Sequence, residues 1–338
     1  MLNVAVVGCG HVATTEHIPS LLANPLTELV SVCDVNIDRA QQVAEEFHIK
    51  SFYRSPSEML SEVSPDLVNI CTPPKTHLEV GTMALEAGCH VLMEKPFVLK
   101  LADADELIGK AASVNRRLSV VHNYLFFPVM LKVKQQVSRG EIGQVVSVQA
   151  LWGRRTEYHR DWFSDLPGGW FGEIMPHLLY LMLAFTGNVE VKTVTTMKVN
   201  EGSDRPFDEL QAELIGKGVL GFFSLTANCL RSNILLLSGT DTTLFIDVEN
   251  NMFREVPLSP AGYLRQPLFE TLYFTSSRLK KMLGRVIHPQ YGGIVNSSHY
   301  YQIDAFVQSI ERNREPPVTP EEARRVVKIY QEIWETLS

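Results

Sequence analysis

Residues 89–96 read Cys-His-Val-Leu-Met-Glu-Lys-Pro, and the fold is decided here. A short apolar run of this kind is the pattern of a parallel strand buried on both faces. Its abrupt end at Glu94, Lys95 and Pro96 brings two charged groups and a rigid residue to the carboxyl edge of a sheet, where open α/β sheets bind their ligands. A strand-end Glu-Lys pair is either a surface ion pair, which contributes little, or part of a site.

The amino-terminal stretch carries the matching signal. Leu2 to Val7 is an apolar strand, and Gly8-Cys9-Gly10-His11-Val12-Ala13 follows at once, leading into a helix to about Leu22. This is G-x-G-x-x-A in its required strand-to-helix context: Gly8 permits the tight turn, Gly10 lets the backbone approach a pyrophosphate, and Ala13 stands where helix and strand pack. His11 and Val12 complete a loop that ends at a helix amino terminus, which favours an anion. A second strand, from Glu28 to Cys33, ends in Asp34, an acid placed to accept hydrogen bonds from the adenosine ribose hydroxyls and to repel a 2′-phosphate. That favours NAD over NADP. The competing reading makes Asp34 a helix cap, and Arg39 is a cation within reach of a phosphate.

The alternation continues with strands at 51–53, 66–71, 89–93 and 118–121 and helices at about 38–47, 76–88 and 101–116. Six strands alternating with helices predict a doubly wound parallel sheet. After the fourth strand, Thr72-Pro73-Pro74 forms a rigid turn, Thr76 is a candidate helix cap, and His77 is either a helix-start residue or a site residue.

The glycine turn and the Glu-Lys-Pro together resemble the Gfo/Idh/MocA family of nicotinamide-dependent oxidoreductases over essentially the full chain, with residues 255–296 matching least. The resemblance implies that Thr72, Pro73, Pro74 and His77 line the nicotinamide ribose side of a cleft. It also implies that Glu94 lies at the cofactor, while Lys95 donates to a substrate hydroxyl oxygen and stabilises negative charge developing there.

Beyond residue 121 the pattern changes. His122-Asn123-Tyr124-Leu125-Phe126-Phe127-Pro128 sits at the domain crossing and begins a helix to about Arg139. Asn123 and Tyr124 suit a hydroxylated ligand, where the family often has an arginine and an aromatic. Strands are then expected at about 144–155, 189–199, 208–216, 219–229, 232–239 and 242–248, with turns at 216–218 and 239–241 that make neighbours antiparallel hairpins. The fold class is therefore α/β followed by α+β, with a Rossmann domain at 1–121. A substrate and oligomerisation domain at 122–338 rests on a large, mainly antiparallel sheet, and its last helix can pack back on the first domain.

Between those strands lies Leu166-Pro167-Gly168-Gly169-Trp170-Phe171-Gly172-Glu173-Ile174-Met175-Pro176-His177. Glycines and prolines predict a helix start with His177 in its first turn, and a start as late as Pro176 would leave Glu173 outside. The resemblance implies that His177 accepts the proton of the substrate hydroxyl, with Glu173 in the place of a usual aspartate. A neutral imidazole with an ordinary pKa of ~6.5 suits that task. Tyr180 joins the expected substrate contacts, as do Tyr158 and Trp162 in the polar and aromatic loop 154–162. Residues 269–287 have apolar positions at helical spacing and suit an amphipathic helix packed against the sheet or an oligomer contact.

The formal net charge of −7, without a basic block, argues against nucleic acid. No apolar run approaches the ~20 residues that cross a bilayer, and no signal-peptide pattern precedes the first strand, so no stable membrane association and a cytoplasmic location are expected. The five cysteines show no zinc spacing and read as free thiols, with no metal expected.

The function these readings predict is an NAD-dependent oxidoreductase acting on a secondary alcohol or ketone of a sugar, cyclitol or derivative. It would work as a homodimer or homotetramer built through the second sheet. Two alternatives stand beside it: a redox-neutral enzyme that oxidises transiently to cleave a glycosidic bond, and a non-catalytic NAD(P)-binding sensor or scaffold.

Overall fold

The first sheet forms around inner strands that are buried on both faces. In the computed structural model, which describes residues 1–154, 161–203, 205–229, 232–256 and 297–337, six strands pair in parallel. They are β1 (Leu2–Val7), β2 (Thr27–Cys33), β3 (Ser51–Tyr53), β4 (Leu67–Ile70), β5 (His90–Met93) and β6 (Leu118–Val120). Their order is β3-β2-β1-β4-β5-β6. The order reverses between β1 and β4, and that switch point is where doubly wound sheets open a crevice at their carboxyl ends.

Alternate strand residues feed two cores. One holds Ala5, Val7, Val68, Ile70, Val91 and Met93 beneath α4 (His77–Glu86) and α5 (Leu101–Ser113). The other holds Val4, Val6, Leu67 and Leu92 beneath α1 (Ile18–Ala23) and α2 (Ile37–Phe47). α1 is preceded by a π turn at Ala13–His17. A further helix, α3 (Pro56–Val63), was not expected from the sequence; Pro56 sits at its start behind Ser55.

The chain divides into two compact units. The first comprises residues 1–123 and the described residues from 297 to 327, and the second comprises the described residues of 124–256 together with 328–337. The chain thus returns to the first unit after residue 297. The cause is core filling: Ile303, Phe306 and Val307 of α8 (Ser298–Glu311) complete the core over β1 and β4. Gln302 Nε2 donates to Val120 O at 2.7 Å, and Gln302 Oε1 accepts from His122 N at 2.9 Å. The last helix, α9 (Pro320–Leu337), starts with a reciprocal cap. Thr319 Oγ1 accepts from Glu322 N at 3.2 Å, while Glu322 Oε2 accepts from Thr319 N at 2.8 Å.

In the second unit, α6 (Pro128–Ser138) precedes a seven-stranded sheet of order β13-β12-β11-β7-β10-β9-β8. The strands are β7 (Val145–Gly153), β8 (Val189–Met197), β9 (Glu209–Gly216), β10 (Val219–Thr226), β11 (Ser232–Gly239), β12 (Thr243–Asp247) and β13 (Met252–Val256). The two expected hairpins, β9 with β10 and β11 with β12, are antiparallel. The sheet is mainly antiparallel, as expected, with β7 and β10 paired in parallel at its centre. β13 was not expected; Met252-Phe253-Arg254-Glu255-Val256 has charge in its middle.

α7 (Trp170–Thr186) lies against β7 and β10. Gly221 allows it close, since a Cβ there would meet Met182 Cε at 3.0 Å. The helix starts behind Gly168 and Gly169, at φ +63° and +60°, and Pro176 lies inside it. His177 is therefore beyond the first turn, correcting the sequence expectation, and Glu173 is helical. Among the described residues, no helix is long and apolar enough to cross a membrane.

Candidate active site

The glycine turn is built for a close approach. Gly8 has φ +95° and leaves no room for a side chain: a Cβ would stand 2.7 Å from the Cys71 carbonyl carbon and oxygen and 2.8 Å from Thr72 N. Gly10 is the opposite case. Nothing lies within 4 Å of where its Cβ would be, so its bareness opens space rather than packing against the protein. Ala13 is fully buried, His11 is exposed and Val12 half-buried.

Asp34 is buried at the end of β2 and stitched to this turn: Oδ2 accepts from Cys9 N and Oδ1 from Asn36 N, both at 2.9 Å. The cap of α2 is Asn36, whose side-chain oxygen accepts from Asp38 N and Arg39 N. The capping reading of Asp34 therefore gives way to Asn36. Arg39 is exposed on the first turn of α2. An open cradle at Gly10 beside a fixed carboxylate fits the pyrophosphate and adenosine ribose of a dinucleotide.

After β4, Pro74–Thr76 forms a 3-10 turn. Thr76 does not cap α4; its hydroxyl donates to Thr72 Oγ1 at 2.8 Å and to Pro73 O at 2.9 Å. The ring of His77 is fully buried between two carbonyls, with Nδ1 2.9 Å from Phe97 O and Nε2 2.8 Å from Thr72 O. Burial holds its pKa below the ordinary imidazole value, so the neutral ring donates to one carbonyl at a time. His77 thus ties the segment after β4 to the segment after β5.

At the end of β5, Glu94 is buried and Lys95 half-buried, and the Lys95–Pro96 peptide is cis. Glu94 Oε1 lies 2.7 Å from His17 Nε2, and Oε2 accepts from Lys95 N at 3.1 Å. Glu94 N donates to Ile70 O at 2.9 Å, continuing the strand ladder. His17 and His299, which also faces Glu94, were not among the sequence candidates. Asn123 is buried, and its amide donates to Ser298 Oγ at 3.2 Å.

The second unit gathers an aromatic group around His177. The Tyr124 ring stacks on the imidazole at 4.5 Å and on Trp152 at 5.4 Å, and Trp152 stacks on His177 at 5.6 Å. His177 Nδ1 lies 2.7 Å from Tyr180 Oη, which accepts from Tyr124 N at 3.2 Å. Trp152 was expected only as a strand residue; its inward turn on β7 makes it part of this group.

Glu173 is half-buried four residues before His177, hence on the same helix face. Its helix start is packed by α9: a Cβ on Gly168 would strike the Trp334 ring at 2.2 Å, and one on Gly172 would meet Pro167 O at 2.3 Å and Tyr330 Oη at 2.8 Å. Trp162 is half-buried edge-on to Phe163 at 4.8 Å. Tyr158 and the stretch 262–296 lie outside the described residues.

A parallel sheet of this order, with a G-x-G-x-x-A turn at its reversal and an acid closing its second strand, defines a dinucleotide-binding protein of the Rossmann class. Residues 2–122 match the model described as "Oxidoreductase family, NAD-binding Rossmann fold" and residues 130–244 match the "GFO/IDH/MocA C-terminal domain". The chain belongs to the Gfo/Idh/MocA family.

It is 35% identical over 154 residues to a D-glucoside 3-dehydrogenase of Escherichia coli (strain K12), covering 46% of this chain and 44% of that protein. It is 36% identical over 134 residues to a UDP-N-acetylglucosamine 3-dehydrogenase of Acidithiobacillus ferrooxidans, covering 40% and 41%. These matches span less than half the length of either relative. A solved "probable dehydrogenase" from Thermotoga maritima has the same fold, with a TM-score of 0.78 at 20% identity over 99% of this chain and 96% of that one.

Proposed function

We propose that the protein is an NAD-dependent dehydrogenase or reductase acting on a secondary alcohol or ketone of a sugar, cyclitol or derivative. The observation that carries this reading is the His177 imidazole, buried by stacked aromatics and held through Nδ1 by Tyr180 at 2.7 Å. A phenolic oxygen has two lone pairs, so Tyr180 Oη can accept from both Tyr124 N and His177 Nδ1–H. In that tautomer Nε2 carries the basic lone pair. Oxidation removes a hydride from the carbinol carbon and a proton from its hydroxyl, leaving a ketone. His177 Nε2 takes the proton, and Lys95 donates to the carbinol oxygen as negative charge develops. The nicotinamide, when bound, supplies the hydride acceptor. Glu173, one helical turn from His177, serves a second hydroxyl of the ring.

The names of the two relatives, both sugar 3-dehydrogenases, support a ring alcohol as the reacting group. The test is absorbance of the reduced nicotinamide on mixing the protein with NAD or NADP and a panel of sugars, cyclitols and glycosides. Wild type should reduce the cofactor, and His177→Ala should fall by about 10²-fold or more, the lower end for loss of a general base. Tight cofactor binding with neither reduction nor a redox-neutral product would overturn this reading in favour of a sensor.

The cofactor preference has its own test. Asp34→Asn keeps the shape and an acceptor at the Cys9 amide but removes the charge, so the ratio of kcat/KM for NAD over NADP should fall about tenfold or more. An unchanged ratio would show that Asp34 does not select the cofactor.

A further inference from the structure

Beneath the Lys95 turn, three parts of the first unit meet in a line of side chains, buried at His17 and Glu94 and half-buried at Glu16 and His299: Glu16 and His17 from the π turn, Glu94 from the end of β5, and His299 from α8. Glu94 Oε1 is 2.7 Å from His17 Nε2 and 3.8 Å from His299 Nε2, and His299 Nδ1 is 3.3 Å from Glu16 Oε2. The two imidazoles cross edge-to-face at 5.3 Å. At the other end of the line, the Asn69 side-chain amide from β4 reaches His17 Nδ1 at 2.8 Å. Turned over, that amide presents Oδ1 to accept from Nδ1–H, the orientation a protonated ring requires. His17 then donates from both ring nitrogens.

The surrounding groups agree with a protonated ring. Burial opposes charge on His17, while its hydrogen bonds with Cys71 and Glu94 and the negative charge of Glu94 act in the other direction and raise its pKa. The Cys71 thiol is itself kept protonated by burial, so Glu94 is the charged partner. Burial likewise opposes charge on Glu94, and His17, His299 and Lys95 reverse it, holding the carboxyl below its usual range. The nitrogen and oxygen atoms of His17, Glu94 and His299 also lie within 4.8 Å of one another, close enough to suggest a metal. The 2.7 Å separation decides against one: ligands bound at 2.0–2.1 Å around a tetrahedral ion stand about 3.3 Å apart, whereas 2.7 Å is a hydrogen bond.

We propose that His17 is a positioning residue for the reacting centre: its ring N–H fixes the Glu94 carboxylate, whose other oxygen fixes the Lys95 turn through the Lys95 amide. This rests on the role proposed for Lys95. The pair is intact while Glu94 is ionised and His17 protonated. Its stabilising contribution is fully present between the unfolded values of 4.5 and 6.5, and is lost as pH falls through the lowered carboxyl pKa or rises through the raised imidazole pKa.

The test compares His17→Leu with His17→Gln in the full chain with cofactor bound, the glutamine amide standing near the position of Nε2. His17→Leu should lose about 10²-fold in kcat with KM for substrate changed less than about threefold, and His17→Gln should recover most of the loss. Independently of turnover, the ring 15N shifts of His17 should report an imidazolium through pH 7, and Glu94→Gln should abolish that signature. Equal behaviour of Leu and Gln, a neutral ring at pH 7, or one equivalent of tightly bound metal by mass spectrometry would each overturn the proposal. An imidazolium signature together with full activity of Lys95→Met would instead overturn the role given to Lys95.

Discussion

Lys95→Met is expected to lower kcat by about 10³-fold or more while leaving NADH affinity within about threefold, because a single oxyanion donor alone is worth 10²–10³. Methionine matches the length of lysine and its apolar stem, so the variant removes the ammonium and little else. Burial of β5 and the Glu94 bond to the Lys95 amide hold the backbone in place whatever the side chain. Arginine should rescue poorly, since its planar fork cannot place a single proton donor where the ammonium stood. Steady-state rates with the best substrate, together with fluorescence titration of NADH, separate the two effects. A kcat within tenfold of wild type would remove Lys95 from the chemistry.

The second large effect falls on stability. Gly8→Ala puts a Cβ 2.7–2.8 Å from the backbone of Cys71 and Thr72, at a φ of +95° that a side-chain-bearing residue rarely adopts. Its neighbours are main-chain atoms at the end of a central strand and have nowhere to move. The expected cost is about 3 kcal/mol or more, a fall in Tm of roughly 6–12 °C, with NAD binding lost. Gly10→Ala is the control, because open space surrounds that position. It should melt within about 2 °C of wild type yet bind NAD about tenfold more weakly, as the methyl enters the path of the pyrophosphate. Calorimetry and NADH titration on both variants check the contrast, and equal Tm losses would contradict it.

The first sheet was legible because each of its strands is a short apolar run closed by a polar or glycine signal, and the motif residues Gly8, Asp34 and Lys95 lie at those closures. What was missed depends on partners far along the chain. His17 acts through Glu94, 77 residues away, and no local pattern distinguishes it from an ordinary helix residue. His299 and Trp152 are likewise defined by what they face. The start of α7 was misplaced because Pro176 reads as an opening signal, whereas the two glycines at positive φ open the helix. The parallel pairing of β7 with β10 and the return of α8 to the first unit are choices of tertiary partner, which hairpin turns and periodicity do not encode.

That return has a bearing on how the protein is made. Residues 1–123 carry all six strands of the first sheet, and α1 and α2 cover part of the side over β1 and β4, but the rest of that side stays uncovered until Ile303, Phe306 and Val307 follow. The nascent cofactor half must therefore wait, apolar face exposed, through the synthesis of nearly two hundred further residues, a period in which such surfaces invite chaperones or aggregation. A fragment stopped at residue 123 would keep that exposed face permanently. The dinucleotide module is built from two segments that are far apart in sequence.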